Sequence, residues 1–318
     1  MNRINLLSVG IFAVALWSLS IPGRAQEPKT ADSNFALNVD VELVQLPVSV
    51  LDNEGRVIEG LTKNNFHVFE QGVQQQISFF KHEDIPLSVG LVIDNSGSMH
   101  NKRARVNEAA LTFANESNPQ DETFIVDFDD NAYLEQDFTP SIDDLMRALS
   151  FLDTRGETAL YDAVYLANEH LRDGKKDKKA ILLITDGEDN KSQFSLNKVV
   201  EALRQSQVTL YAIGLLDEDR HGFLNKSPST KAKSALQKFA EITGGQAYFP
   251  QSLSEIDGLC KRIAHDLRSQ YTIGYTPTNK NLDGAWREVT VRVDAPRNLK
   301  TAIVRTKPGY YARRLPNP

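Results

Sequence analysis

Residues 94–98, Asp-Asn-Ser-Gly-Ser, place one carboxylate and two hydroxyls at alternate positions directly behind an apolar segment. That segment, 87–93, has the composition of a buried strand, and Gly97 indicates a turn beyond its end. Carboxylate and hydroxyl oxygens are hard ligands, which suit magnesium, calcium or manganese better than zinc or copper. Because open α/β sheets bind ligands at the carboxyl ends of their strands, the sequence predicts a divalent-cation site here.

Two other segments carry oxygen donors that such a fold would bring to the same edge. Thr158 stands at the start of a predicted helix, and Asp186 directly follows a continuously apolar strand, 180–185. With waters, two carboxylates and three hydroxyls would complete an octahedral shell around Mg²⁺, with Mn²⁺ or Ca²⁺ as other possible ions. A role as turn and cap residues alone would not explain why all three loops share one edge. The predicted metal ligands are Asp94, Ser96, Ser98, Thr158 and Asp186.

Four further residues are candidates for a supporting or partner-binding role. Glu157 would either add a third carboxylate to the site or face solvent at a helix start, and the second is favoured. Asp189 lies either behind the ligands or in a simple turn, and the turn is favoured. Loop 217–231 should project from the same edge, with Phe223 and Leu224 as candidate partner contacts. A tolerated surface insertion explains that loop equally well.

Strands and helices alternate through the middle of the chain, which predicts an α/β fold with a doubly wound, mostly parallel, Rossmann-like sheet. The predicted strands are 87–93, 123–128, 180–185 and 208–213, with weaker ones at 132–137 and 246–249. The predicted helices are 101–117, 141–152, 159–172, 195–206, 231–243 and 253–268.

Period-two hydrophobic patterns flank this region on both sides. Residues 36–84 are predicted to form an N-terminal β-unit and residues 269–318 a C-terminal one. A unit of this size buries too little apolar surface to be stable alone. Because chain termini commonly lie close together, we expect the two units to pair into one small β-sandwich beside an α/β domain of residues 85–268.

The first 25 residues have the pattern of a cleaved secretory signal, with Arg3 before an apolar core. That core is shorter than the roughly 20 apolar residues of a membrane anchor. Residues 26–35 are polar and unpatterned, as in a linker. We therefore expect an exported protein, periplasmic or secreted, without membrane insertion after signal cleavage. The net charge of −6 argues against nucleic acid as a partner, and the single cysteine, Cys260, is expected to be buried in a helix.

Residues 85–268 resemble the von Willebrand factor A family, whose hallmark is a metal-ion-dependent adhesion site. That site consists of Asp-x-Ser-x-Ser, a distant Thr and a distant Asp, and all five positions are filled here. The whole chain also resembles bacterial exported VWFA-related proteins, through residues 270–277 and 283–287. The resemblance implies a metal that keeps one coordination position open, which an Asp or Glu carboxylate of a partner protein fills.

The function implied by this resemblance is non-catalytic, cation-dependent protein binding, as in adhesion. One alternative is a structural or scaffold subunit in which the metal only stabilises the fold. A magnesium-dependent hydrolase is a further alternative, because two carboxylates and Mg²⁺ can support hydrolysis. Against an enzyme, the sequence contains no His-Glu-x-x-His, Gly-x-Ser-x-Gly or phosphate-binding Gly-x-x-x-x-Gly-Lys motif.

Overall fold

The computed structural model describes residues 43–151, 154–216, 228–294 and 302–314. The predicted signal, the linker and the candidate contacts Phe223 and Leu224 lie outside these residues. Within the described ranges, no helix has the length and apolar character that crossing a membrane requires.

The strands are β1 (Val44–Leu51), β2 (Phe66–Glu70), β3 (Val73–Gln75), β4 (Ile77–Lys81), β5 (Leu87–Asp94), β6 (Glu122–Phe128), β7 (Ala132–Thr139), β8 (Lys178–Thr185), β9 (Val208–Gly214), β10 (Ala247–Tyr248), β11 (Tyr271–Tyr275), β12 (Trp286–Val293), β13 (Ile303–Arg305) and β14 (Gly309–Tyr311). The helices are α1 (Arg103–Asn115), α2 (Ile142–Phe151), α3 (Leu160–His170), α4 (Leu196–Gln205), α5 (Pro228–Thr243) and α6 (Ile256–Arg268).

The central sheet has the order β10-β9-β8-β5-β6-β7, and all its strands are parallel except the edge strand β7. Every residue of β5 is buried, because helices cover both faces of the sheet. Helices α1, α2 and α6 pack on one face, and α3, α4 and α5 pack on the other. The register pairs Ile93 of β5 with Ile184 of β8, so the two strands end side by side. The predicted α/β fold class is confirmed.

The flanking strands form two four-stranded antiparallel sheets, in the orders β13-β1-β11-β4 and β14-β12-β2-β3. Each sheet combines strands from both ends of the chain, since β1 pairs with β11 and β2 pairs with β12. One shared apolar core contains Val48, Val68, Tyr271 and Val291 from the two sheets. The flanks therefore bury together the surface that neither could bury alone.

Element boundaries differ from the sequence predictions in a few places. Helix α5 begins at Pro228 rather than at residue 231, because proline is well suited to the first helical position. Strands β3 and β14 were not predicted, since each has only three residues and no apolar run. Cys260 is buried in α6 as expected, and burial raises the pKa of its thiol to about 12.

Candidate metal centre

Asp94 is the last residue of β5, and its carboxylate is held by two donors within the protein. The main-chain amide of Ser96 donates to Oδ1 at 2.9 Å, and the Thr185 hydroxyl donates to Oδ2 at 2.5 Å. Asp94 is only 2% exposed, and this burial raises its pKa to about 6 against the opposing effect of those hydrogen bonds. The carboxylate is thus desolvated and fixed in orientation before any ligand binds.

A single 3₁₀ turn, Gly97–Met99, carries the two serine hydroxyls toward Asp186. The buried Met99 side chain anchors this turn, and its amide donates to the Ser96 carbonyl at 3.0 Å. The hydroxyls of Ser96 and Ser98 lie 3.1 Å apart, and the Ser98 hydroxyl donates to Asp186 Oδ1 at 2.7 Å. Four of the five predicted ligands therefore lie in one continuous hydrogen-bonded group with Thr185.

Thr158 reaches this group through its own loop. The Thr158 amide donates a hydrogen bond to Asn190 Oδ1 at 2.9 Å. In return, the amides of Asn190 and Lys191 donate to the Thr158 carbonyl. The hydroxyl of Thr158 borders Gly187, where a Cβ atom would lie only 3.2 Å from Thr158 Oγ1. Gly187 directly follows Asp186, so the third loop meets the other two beside that carboxylate.

Main-chain contacts hold the loop before Thr158 against the Asp94–Ser98 turn. The Gly97 amide donates to the Gly156 carbonyl at 3.2 Å, and the Arg155 amide donates to the Asn95 carbonyl at 3.0 Å. Gly156 has a φ of +70°, and a Cβ there would lie 2.9 Å from the Asp130 carboxylate, so glycine fits this position best. These contacts fix the relative position of two loops that are far apart in sequence.

The side chain of Glu157 forms an ion pair with Lys191 at 2.9 Å and is half-exposed. Its main-chain amide donates to Asp130 at 2.9 Å. Asp189 accepts the Tyr161 amide at 3.0 Å and the Ser192 hydroxyl, so it joins the loop after β8 to the start of α3. Burial raises the pKa of Asp189. Neither carboxylate makes a hydrogen bond to Asp94 or Asp186 among the described contacts.

Lys102 contacts the site, which the sequence did not predict. Its ammonium donates to Asp186 Oδ2 at 2.7 Å and to the Leu215 carbonyl, beyond β9, at 3.3 Å. The side chain of Asp186 is 1% exposed and that of Lys102 is 18% exposed. The only sequence signal is that Lys102 follows Ser98 by four residues at a helix start, a spacing that can return a side chain to the same side.

The donor set fits a hard divalent cation. It offers two carboxylates and three hydroxyls, all oxygen donors, on loops that touch one another. In the described part of the chain, no three His, Cys, Asp or Glu side chains are grouped so that they could hold a metal. A metal here would therefore depend on the hydroxyls as well as on Asp94 and Asp186.

A doubly wound α/β domain with hydroxyl-rich loops at the carboxyl ends of its central strands defines the class of protein. Residues 89–188 match the sequence model of the von Willebrand factor type A domain. Residues 89–188 are thus similar to the von Willebrand factor type A domain, which confirms the resemblance predicted from the sequence.

The chain is similar to several solved structures, and at sequence identities below 20% this similarity shows the fold alone. Proximal thread matrix protein 1 from the mussel byssus is 18% identical with a TM-score of 0.50, covering 63% of this chain and 51% of that one. The von Willebrand factor type A protein from Catenulispora acidiphila is 13% identical with a TM-score of 0.49, covering 80% of this chain and 75% of that one.

An uncharacterized protein of Borreliella burgdorferi is 24% identical over 161 residues, which are 49% of this chain. The match spans 43% of that relative's length.

Proposed function

We propose that this protein is a divalent-cation-dependent protein-binding module. The observation that carries the proposal is the hydrogen-bonded group of Asp94, Ser96, Ser98 and Asp186, which Thr158 borders. Its donors are hard oxygens, so Mg²⁺ is the proposed ion, with Mn²⁺ or Ca²⁺ as substitutes. The proposed role is recognition rather than catalysis, and the proposed location is outside the cytoplasm.

The composition of the site supports a carboxylate-bearing partner. Hydroxyls can bind a cation without adding negative charge, so two carboxylates alone would offset a divalent ion. A partner Asp or Glu would then supply the remaining oxygen ligand at the surface of the domain. The residues of this chain hold the ion and orient the serine hydroxyls, and the bound ion supplies the attraction for the foreign carboxylate.

The binding test is a calorimetric titration of the intact protein with Mg²⁺ and Mn²⁺. We expect binding to the native chain and none to Asp186→Ala, because that change removes one of the two carboxylates. Asp294→Ala is the matched control, since Asp294 is 74% exposed and lies in the sandwich beside His67. A titration without heat for the native chain, or equal binding by Asp186→Ala, would contradict the proposal.

A second experiment separates recognition from a purely structural metal. The immobilised protein is exposed to exported proteins in the presence of Mg²⁺ or of a chelator. A recognition module should retain a partner only with Mg²⁺, and Asp186→Ala should retain none. A scaffold subunit would instead show a Mg²⁺-dependent rise in Tm with the same retention under both conditions.

A further inference from the structure

Lys102 places a cation directly against a proposed metal ligand. Its ammonium lies 2.7 Å from Asp186 Oδ2, while the Ser98 hydroxyl occupies Oδ1. Both side chains are largely shielded from water, at 18% and 1% exposure. Electrostatic interactions between such shielded groups are stronger than those between groups on the open surface.

We propose that Lys102 sets the ligand specificity of the site by making it net positive once a divalent cation is bound. This inference rests on the proposed function and deepens it. Lys102 acts as a positioning and specificity-determining residue, because it acts through Asp186. Its presence lowers the affinity for the cation and raises the affinity of the loaded site for an anionic carboxylate.

Formal charges determine which ligand the loaded site prefers. Asp94 and Asp186 together offset a divalent cation, and the serine and threonine hydroxyls add no charge. With Lys102 included, the loaded site carries one positive charge, which a single partner carboxylate would neutralise. Without Lys102 the loaded site would be neutral, and the same carboxylate would leave it negative.

The neighbouring charges on these loops are mostly paired with each other. Glu157 pairs with Lys191 at 2.9 Å, and Glu188 pairs with Lys231 at 2.9 Å. Among the described ion pairs, Lys102 is the partner that Asp186 has. Removing Lys102 should therefore change the charge at the cation position more than removing a lysine from either surface pair.

Two acceptors hold the Lys102 ammonium in a fixed position, Asp186 Oδ2 and the Leu215 carbonyl. The Leu215 carbonyl accepts its ammonium at 3.3 Å, and Leu215 in turn donates its amide to the Thr185 carbonyl at 2.8 Å. Thr185 also holds Asp94 through its hydroxyl. The ammonium is thus tied to the same strand ends that carry both carboxylates, so its charge acts at a defined place.

The test uses Lys102→Met with Mn²⁺ as the cation and ¹³C-acetate as the carboxylate probe. Calorimetry measures the Mn²⁺ affinity, and paramagnetic relaxation of acetate measures its binding to the Mn²⁺-loaded protein. We expect Lys102→Met to bind Mn²⁺ on the order of ten-fold more tightly and acetate on the order of ten-fold more weakly. Lys102→Arg keeps the charge and should remain close to the native protein in both measurements.

Lys261→Met is the matched control, because it removes the same charge from an exposed pair with Glu116. It should change neither affinity. If Lys102→Met does not fold, as judged by circular dichroism, Lys102→Gln takes its place in both titrations. Unchanged or weaker Mn²⁺ binding in the charge-removing variant, or unchanged acetate binding, overturns the role of Lys102. Absence of Mn²⁺ binding by the native chain instead overturns the proposed function itself.

Discussion

At the scale of single residues, the Asp94 carboxylate is costly to the protein without a cation. It is 2% exposed, receives two hydrogen bonds and interacts unfavourably with the charge of Asp186. Its pKa is raised from 3.8 to about 6, mainly because burial disfavours the charged form. That interval corresponds to roughly 3 kcal/mol of folding free energy at neutral pH. A bound cation would offset this cost.

We therefore predict that Asp94→Asn changes stability in opposite directions with and without metal. In chelator at pH 7, the variant should unfold with a free energy higher by about 2 kcal/mol, since no buried charge remains. In saturating Mg²⁺ the native chain should gain stability and the variant should not. Urea unfolding at equilibrium under both conditions measures both effects. An Asp94→Asn variant that is less stable in chelator would contradict this account.

The pH dependence follows from the same pKa. Because the folded state binds this proton more tightly than the unfolded state, the contribution of Asp94 to stability rises as pH falls from about 6 toward 3.8. The metal-free native chain should therefore approach the stability of Asp94→Asn near pH 4. Asp294→Asn, at an exposed carboxylate, serves as the control and should follow the native chain throughout.

The sequence predicted that Asp94, Ser96, Ser98 and Asp186 lie together, because they directly follow apolar strands whose ends must coincide. It did not predict Lys102, since that contact depends on how the chain after β9 closes beside the site at Leu215. The buried partner Thr185 was also missed, because a threonine ending an apolar strand has no distinctive pattern.

At the scale of elements, the turn after α5 shows how closely two elements approach. Gly244 has a φ of +77°, and a Cβ there would lie 2.6 Å from the carbonyl carbon of Thr306 and 2.7 Å from the amide nitrogen of Lys307. Main-chain atoms cannot move aside as a flexible side chain can. Glycine therefore permits the segment before β14 to pass directly over the end of α5.

We predict that Gly244→Ala lowers the free energy of unfolding by at least about 2 kcal/mol, because a positive φ and a main-chain clash act together. Gly258→Ala in α6 is the matched control, since nothing lies within 4 Å of its Cβ position. That variant should be more stable by up to about 1 kcal/mol, owing to the higher helix propensity of alanine. Urea unfolding measures both, and equal effects would contradict this interpretation.

The composition of each element decides whether the sequence could predict it. Long apolar runs such as 180–185 leave little ambiguity, because a strand buried on both faces needs them. Strands β3 and β14 are formed by pairing with β2 and β12 rather than by their own composition. Their existence follows from tertiary contacts that a local pattern does not contain.

At the scale of the whole molecule, buried polar contacts tie the two ends of the chain together. The Tyr271 hydroxyl donates to the Ile58 carbonyl at 2.9 Å and accepts the Leu61 amide at 3.1 Å. The buried Glu70 accepts hydroxyls from both Tyr275 and Tyr310 at 2.8 Å. The sequence predicted that the flanks pair, but hydrogen bonds between residues about 200 positions apart could not be assigned to particular side chains.

A buried cluster links the sandwich to the α/β domain. Asp266 of α6 accepts the Tyr211 hydroxyl at 2.6 Å and lies 3.5 Å from the guanidinium of Arg305 in β13. Asp266 is 2% exposed, and its second carboxylate oxygen has no hydrogen-bond partner within the described residues. Burial, together with the proximity of this carboxylate, raises the pKa of Tyr211 well above its ordinary value. Arg305 thus offsets a charge that the α/β domain buries at its boundary with the sandwich.

We predict that Arg305→Met lowers the free energy of unfolding by roughly 3 kcal/mol, because it leaves the Asp266 charge buried with Tyr211 as its remaining described partner. Asp266→Asn in the same chain should recover much of that loss, since it removes the unpaired charge. Equilibrium unfolding of both single variants and the double variant gives the coupling between the two sites. Additive effects would show that the pair does not connect the two parts. Mn²⁺ affinity should stay unchanged in all three variants, because the Asp94–Asp186 group makes none of these contacts.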